Sequence, residues 1–409
     1  MGSLKVTLGT ASTFGGVSPN LQQLGIPCAC CDDGPSGMRL DSGVKAFSLP
    51  NGTLLACSFN KELNKELYSF TAMEMVHNKV ECLLGPGMNI HRHPLNGRNF
   101  EYFSEDPLVT GEIAAAQLLG MGTMNVTGTI KHFCANNQET RRHDIDSVVS
   151  ERALREIYLK GFELAVKKGK ASSIMTTYGS VNGRWTAGSY DLNTTILRNE
   201  WGFKGVVMTD WYANINEFGK APDKTNFAAM IRSQNDLYMV CPDGSYASTG
   251  DNTLQALSDG RLTRAELQRS AKNICQWHLD NNPLARMMNT ADTVKIINRP
   301  QEEAAGVQSE DLEIIHIKDS VTIPLNTKDS TIAGTDYAFA VELEKRGMYK
   351  VYITGSSELG ELAQLPITIF VMGIPTLSLS FTGTAGKDVT LERDFIGQNN
   401  YAVFRLNVP

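Results

Sequence analysis

Short apolar runs alternate with segments of helical periodicity from the amino terminus to about residue 285. Most of these runs are followed by a loop and then by a helical pattern, which is typical of parallel strands joined by helices. We therefore predict an α/β fold with a (β/α)8-like, TIM-type barrel that is one unit short of eight near its amino terminus. The seven strand candidates are "CACCD" (28–32), "LLACS" (54–58), "ECLLG" (81–85), "TIKHF" (129–133), "SSIMTTY" (172–178), "GVVMTD" (205–210) and "DLYMV" (236–240).

The clearest helix is predicted for "SERALREIYLKGFELAVKKG", residues 150–169. Ser150 is a good N-cap because its hydroxyl can accept a hydrogen bond from a free backbone N–H. Lys167 and Lys168 place cations in the last turn and Gly169 follows, as is common at a helix C-terminus. One apolar face is formed by Leu154, Ile157, Tyr158, Gly161, Phe162 and Ala165.

After about residue 300 the pattern changes to alternation with a period of two. In "MYKVYITG", Tyr349, Val351 and Ile353 share one face, and in "YAVFRLNV" the same is true of Ala402, Phe404, Leu406 and Val408. Several such strands predict an all-β sandwich. We expect a barrel domain at 1–290, a linker at 291–310 and a β-sandwich domain at 311–409. For the β-sandwich domain, a carbohydrate-binding role and a merely structural role are both open.

Charge and hydropathy exclude several classes of partner. The chain has 409 residues and a formal net charge of -6, and it carries no basic run that would attract nucleic acid or an anionic membrane. Its apolar runs are far shorter than the ~20 residues that span a bilayer. The start "MGSLKVTLGT" lacks the pattern of a secretory signal, so we expect a cytoplasmic chain. Eight cysteines are scattered through apolar runs, which indicates free thiols rather than a disulfide scaffold.

Polar residues collect where the predicted strands end. In a parallel barrel the carboxyl ends of the strands surround the active site. Hydrogen-bonding groups, a carboxylate and an aromatic ring suit a polyhydroxylated substrate, whereas no GxxxxGK[ST] phosphate loop is present. The strand-end residues are Asp33, 89–93, Lys131, His132, Tyr178, Asp210 and Trp211.

Structural roles are open for several of these residues. Asp210 could cap the next helix, and Asp33 could form an Asx turn before Gly34. Lys131 and His132 could be a strand-end ion pair and a packed core histidine. His91, Arg92 and His93 resemble a metal cluster only weakly, because no carboxylate stands at ligand spacing and the arginine would repel a cation. We expect no metal and no cofactor.

Five segments in one order carry a resemblance to a known family: "DDGPSGMR" (32–39), "GRNFEYFSEDP" (97–107), "KHFCANNQETRR" (131–142), "SERALREIYLKGFE" (150–163) and "NEWGFKGVVMTDW" (199–211). Together they resemble glycoside hydrolase family 3, the β-glucosidase-like retaining enzymes. The resemblance covers residues 10 to 285. It implies a β-glucosidase that hydrolyses terminal non-reducing β-D-glucosyl residues, with β-xylosidase, arabinosidase and a catalytically silent sugar-binding protein as alternatives.

The resemblance also implies roles for single residues. Asp210, the aspartate of the "MTDW" motif, would be the nucleophile. Asp33 would bind hydroxyls far from the anomeric carbon, while Arg98 and the pair Lys131 and His132 would bind neighbouring ones. The remaining wall of the sugar site would be formed by Arg142, chosen over Arg141 by the motif spacing, with Tyr178 and Trp211.

The chain departs from the family pattern at the acid/base. A retaining glycosidase needs a second carboxyl group about 5 to 5.5 Å from the nucleophile. Most members supply it as a glutamate from an α/β sandwich domain after the barrel, where this chain has a predicted β-sandwich. Others use a histidine in a "KHFPGHG"-type loop, which here reads "KHFCANNQE". We therefore expect the acid/base glutamate on an α/β sandwich domain in an upstream segment or a second chain.

Overall fold

The computed structural model describes residues 12–40, 46–241, 249–295, 314–323, 335–344, 347–360, 363–371, 374–397 and 401–408. The chain divides into two compact units. The described residues up to Lys295 belong to the first unit, and those from Ile314 onward belong to the second. The predicted linker at 291–310 lies largely outside the described residues. No described helix has both the length and the apolar character that crossing a membrane requires.

A sheet of six strands organises the first unit. Its strands are β1 (Ser12–Gly15), β2 (Cys28–Asp33), β3 (Cys82–Leu84), β4 (Thr127–Phe133), β5 (Ser173–Thr176) and β6 (Val206–Met208). They are neighbours in chain order, and all are parallel except β1, which is antiparallel to β2. The sheet is therefore a half-barrel of parallel strands with one antiparallel strand at its edge.

Five of the seven predicted strands coincide with strands β2 to β6. The sixth, "DLYMV", is reduced to one bridge, in which Leu237 pairs in parallel with Met208 of β6. The seventh, "LLACS", is wrong, because Gly52–Cys57 is a helix whose N-cap Asn51 accepts a hydrogen bond from the Leu54 N–H. A five-residue apolar run does not separate a buried strand from a short helix by its periodicity.

Helices connect the strands of the half-barrel. Ser150 caps the predicted helix as expected and accepts a hydrogen bond from the Ala153 N–H. This helix consists of Glu151–Ala153, a π-helical turn at Leu154–Tyr158 and the helix Lys160–Lys167. The other helices are Pro19–Gln23, Lys61–His77, Pro107–Met121, the π-helix Asp191–Glu200, Phe227–Arg232, Thr253–Ser258, Arg264–Asp280 and Asn282–Met287.

Both faces of the strands are buried. All seven residues of β4 are buried, as expected of a parallel strand covered on two sides. One apolar cluster includes Ile130 and Phe133 with the surrounding helices, and another includes Cys31, Cys82 and Met208. The eight cysteines, all among the described residues, form no disulfide. Cys57 and Cys275 are exposed, Cys28 is half-buried and the other five are buried.

All described elements of the second unit are strands. A five-stranded sheet and a two-stranded sheet contribute to one apolar cluster that contains Val341, Ile369, Leu379 and Phe404. Val351 and Ile353 pack against it and Tyr352 is exposed, as the alternating pattern predicts. The strands are Ile314–Ile317, Thr335–Leu343, Gly347–Gly355, Gln364–Val371, Ile374–Thr382, Val389–Gly397 and Tyr401–Val408.

Candidate functional site

The carboxyl ends of β2, β4, β5 and β6 bring charged and aromatic side chains to one edge of the sheet. Asp33 is the last residue of β2, and Lys131 and His132 lie near the end of β4. Tyr178 and Asp210 each follow a strand by two residues. Because parallel strands end at the same edge, side chains that are far apart in sequence meet here.

Asp33 is held between two cations. One carboxylate oxygen accepts a hydrogen bond of 3.0 Å from the Lys131 ammonium group, and the other lies 3.2 Å from the Arg39 guanidinium group. Burial opposes ionisation of Asp33, but Lys131 and Arg39 outweigh it and lower the pKa of this carboxyl. The ion pair suggested as a structural role for Lys131 is therefore present, with Asp33 as its partner.

Asp210 is a buried carboxylate. Burial raises its pKa, while the Trp211 N–H, Lys131, Arg98 and Tyr178 all oppose this increase. Its Oδ1 atom accepts a hydrogen bond of 2.7 Å from the Trp211 N–H. No helix follows directly: residues 211–226 are turns and loop, and the helix Phe227–Arg232 is capped by Asn226. The helix-capping role for Asp210 is therefore wrong.

His132 lies beside Asp210 and Arg98. Its Nε2 atom is 3.7 Å from Oδ2 of Asp210 and 3.0 Å from Nη1 of Arg98. Burial and the nearby cations Arg98, Lys131 and Arg142 lower the pKa of the imidazole well below its ordinary value. His132 is therefore uncharged near neutral pH, and the carboxylate of Asp210 faces a neutral ring.

Arg142 and Tyr178 form another part of the site. The Arg142 guanidinium lies 4.7 Å from the centre of the Tyr178 ring, within the range of a cation–π contact. Burial and then the charge of Asp210 raise the pKa of the Tyr178 hydroxyl. Arg141, by contrast, is exposed and lies 3.9 Å from Asp144. The structure thus places Arg142 at the site and Arg141 outside it.

Trp211 is half-buried and packs against the apolar cluster that contains Met208 and Trp277. Its backbone N–H is the group that contacts Asp210. Among the residues that the structure describes, no group of three or more His, Cys, Asp or Glu is arranged to hold a metal ion.

Five further residues support these side chains, and of these only Asn89 belongs to the strand-end set predicted from the sequence. Glu101 pairs with Arg98, and Glu139 accepts a hydrogen bond of 2.8 Å from Arg142. The other three, Asn89, Tyr102 and Asn136, form hydrogen bonds around His132. The i, i+3 spacing of Arg98 with Glu101 and of Glu139 with Arg142 was a readable signal, since such residues are neighbours within one turn.

The edge therefore presents the buried carboxylate of Asp210 among several cations, amide groups and aromatic rings, whereas the buried carboxylate of Glu101 is paired with Arg98. A second carboxylate, Asp33, is fully compensated by its two cations. Such a set can donate and accept several oriented hydrogen bonds and can stabilise a positive charge next to Asp210.

The chain is similar to known proteins over its whole length. Residues 3–277 match the family described as "Glycosyl hydrolase family 3 N terminal domain". A protein named "Beta-glucosidase" from Ruminococcus albus is 57% identical over 100% of this chain and 43% of the relative. An "Exo-alpha-(1->6)-L-arabinopyranosidase" from Bifidobacterium breve is 36% identical over 77% of this chain and 41% of the relative.

Among solved structures, a β-glucosidase from Paenibacillus barengoltzii is 44% identical, with a TM-score of 0.68. The match covers 100% of this chain and 43% of that structure. The chain therefore spans less than half the length of these three relatives.

Replacing Asp33 with Asn tests the charge pairing. Because the pKa of Asp33 is lowered in the folded chain, its contribution to stability is present above its unfolded pKa of about 3.9 and is lost as the pH falls through the folded value. We expect Asp33→Asn to lower the melting temperature near neutral pH, and the difference from the parent to shrink below about pH 4. Thermal melts of both proteins over this range measure it.

The matched control is Asp144→Asn, at an exposed aspartate near Arg141. Exposed ion pairs contribute little, so this control should change the melting temperature only slightly. A difference for Asp33→Asn that stays constant from neutral to acidic pH would contradict the proposed pairing.

Proposed function

This chain belongs to glycosyl hydrolase family 3, and we propose that it carries the nucleophile of a retaining β-glucosidase that acts on terminal non-reducing β-D-glucosyl residues. The observation that carries this proposal is Asp210, a buried carboxylate at the carboxyl edge of a parallel sheet. It stands in a chain 57% identical to a protein named as a β-glucosidase.

The surroundings of Asp210 fit a nucleophilic role. An attacking carboxylate must be ionised, and Lys131, Arg98 and the Trp211 N–H favour its charged form against the effect of burial. Burial leaves the carboxylate poorly solvated, so it gains most from a positive charge that develops on a bound sugar. Asp210 would attack the anomeric carbon and form a glycosyl-enzyme, which water then hydrolyses.

The surrounding side chains would hold the sugar ring. Asp33, ionised between its cations, would accept hydrogen bonds from hydroxyls far from the anomeric carbon. Arg98, Lys131 and His132 would bind hydroxyls nearer to Asp210. The wall of this subsite would be completed by Arg142, Tyr178 and Trp211.

The general acid requires a carboxyl group that is protonated during leaving-group departure, and a raised pKa favours this. The carboxyls with a raised pKa include Glu74, Glu81, Asp210 and Asp236, and burial is the first cause in each. Glu81 and Asp236 immediately precede β3 and Leu237, at the opposite edge of the sheet, and Glu74 is on a helix.

The acidic residues close to the side chains that would hold the sugar are already engaged in ion pairs. Glu101 pairs with Arg98, Glu139 with Arg142 and Asp33 with Lys131. We therefore place the acid/base glutamate outside the described residues, on an α/β sandwich domain from an upstream segment or a second chain. The relatives, more than twice as long as this chain, leave room for such a domain.

A second candidate is an arabinosidase or β-xylosidase of the same family. The similarity to a protein named as an exo-α-(1→6)-L-arabinopyranosidase favours it. These pentosides lack the hydroxymethyl group of glucose, so the two candidates differ in the sugar that fits the pocket. Comparing kcat/KM for nitrophenyl β-glucoside, β-xyloside and α-arabinopyranoside decides between them.

For the second unit we propose a β-sandwich. Two sheets contribute to one apolar cluster, which is how the inner faces of a sandwich pack. Tyr352 is exposed and is a candidate for stacking on a sugar ring, whereas Tyr349 lies on the inward-facing side of its strand.

Covalent labelling tests the role of Asp210. We expect 2,4-dinitrophenyl 2-deoxy-2-fluoro-β-D-glucoside to leave a glycosyl adduct on Asp210, because its leaving group departs without a proton from a general acid. Intact mass and peptide mapping measure the adduct. Asp210→Asn should form no adduct, since the amide is a far weaker nucleophile.

Asp144→Asn serves as the control, because that aspartate is exposed and should not affect labelling. An unlabelled parent protein that still binds glucose would favour the silent sugar-binding alternative. An adduct on another residue would contradict the assignment of Asp210.

Comparing substrates with different leaving groups tests the proposal that the general acid lies outside the described residues of this chain. We expect the chain alone to hydrolyse 2,4-dinitrophenyl β-glucoside but to act poorly on cellobiose, since general acid catalysis typically contributes ~10²- to 10⁴-fold. Initial rates on both substrates measure the difference, with Asp210→Asn as the inactive control. Efficient cellobiose hydrolysis by this chain alone would place the acid within it and overturn the proposal.

A further inference from the structure

Asn89 contacts both the backbone and the ring of His132. Its side-chain amide donates a hydrogen bond of 2.9 Å to the His132 carbonyl and accepts one of 2.9 Å from the His132 N–H. Its Oδ1 atom also lies 3.4 Å from Nδ1 of the imidazole. Asn89 is buried in the loop that follows β3, so it links this loop to the carboxyl end of β4.

The two backbone contacts fix the orientation of the Asn89 amide. Only the NH2 group can donate to the His132 carbonyl, and only the oxygen can accept from the His132 N–H. The atom that faces Nδ1 of the ring is therefore the amide oxygen. An acceptor at this position favours a proton on Nδ1.

Arg98 imposes the same choice from the other side of the ring. Its Nη1 atom is 3.0 Å from Nε2 of His132, and a guanidinium group can only donate. Nε2 must therefore carry a lone pair rather than a proton. Asn89 and Arg98 together select the neutral form of His132 with its proton on Nδ1.

We propose that Asn89 is a positioning residue that holds His132 as the neutral Nδ1–H tautomer, so that Nε2 accepts a hydrogen bond from Arg98 and holds this guanidinium beside Asp210, where it would bind the sugar. This inference rests on the proposed function for its sugar ligand. The assignment of the tautomer itself depends only on the contacts of Asn89 and Arg98.

The charges around His132 explain why an amide, rather than a carboxylate, stands at position 89. Arg98, Lys131 and Arg142 disfavour the imidazolium form, and Asp210 lies 3.7 Å from Nε2. Near Nδ1 the other neighbour is the hydroxyl of Tyr102, at 3.3 Å, which accepts a hydrogen bond from Asn136. A carboxylate at position 89 would favour a doubly protonated ring, which could no longer accept at Nε2.

Nitrogen NMR of the full-length chain labelled with ¹⁵N-histidine tests the tautomer directly. The His132 signals are assigned by their loss in His132→Gln. We expect the shifts near neutral pH to be those of a protonated Nδ1 and an unprotonated Nε2. In Asn89→Asp, the opposite charge next to the ring should raise the pH at which Nε2 gains a proton by roughly 1–3 units.

Kinetics and binding provide the second readout. If His132 holds Arg98 in place for the sugar, Asn89→Asp should weaken glucose binding about tenfold at mildly acidic pH, on the scale of one lost hydrogen bond in a buried site, with recovery as the pH rises. A merely structural role for Asn89 would lower affinity equally at all pH values. Calorimetric titration with glucose across pH distinguishes the two.

The matched control is Asn64→Asp. Asn64 is also a buried asparagine with several hydrogen bonds, but its partners, Leu55, Ser58, Asn60 and Gln117, lie on helices and a loop of the barrel exterior. It should lower stability without changing the His132 signals. If Asn89→Asp does not fold, the tautomer in the parent protein still decides.

A proton on Nε2 in the parent protein would overturn the proposal, as would unchanged His132 signals in a folded Asn89→Asp. Failure of the proposed function is a separate outcome. It would appear as absent labelling of Asp210 and absent glucose binding, whereas the tautomer is measured without any sugar.

Discussion

The burial of several charges at one edge of the sheet is the constraint on which the rest of the site depends. Taking a carboxylate out of water costs several kcal/mol unless other groups compensate it. Here Asp33 is compensated by Lys131 and Arg39, and Arg98 by Glu101. Asp210 has no such close ion pair among the described residues and is balanced at longer range by Lys131 and Arg98. It is therefore the carboxylate that we propose to react with a developing cation.

The half-barrel provides the positions that this balance requires. Asp33 is separated from Lys131 and from Asp210 by about a hundred residues or more. The parallel strands nevertheless bring all three side chains to one edge of the sheet. Two side chains, His132 and Arg98, face Asp210. Asn89 holds His132 in place, and Glu101 holds Arg98. The groups that contact the substrate would thus be held by residues that do not contact it.

Much of this arrangement could be predicted from the sequence, because strand ends and motif order are local features. Strands β2 to β6 and the cap at Ser150 follow from short patterns. The helix at Gly52–Cys57 could not be recognised, since its four consecutive apolar residues suit either structure. The contacts of Asn89 with His132 and of Asn136 with Tyr102 were also beyond reach, because they depend on how segments distant in sequence fold together.

The central claim is that Asp33, Arg98, Lys131, His132 and Asp210 form one sugar site. A crystal structure of this chain with glucose tests it most directly. The account predicts a glucose ring whose hydroxyls contact Asp33, Arg98, Lys131 and His132, with its anomeric carbon facing the carboxylate of Asp210. Glucose bound elsewhere, or bound here with its anomeric carbon turned away from Asp210, would contradict the account.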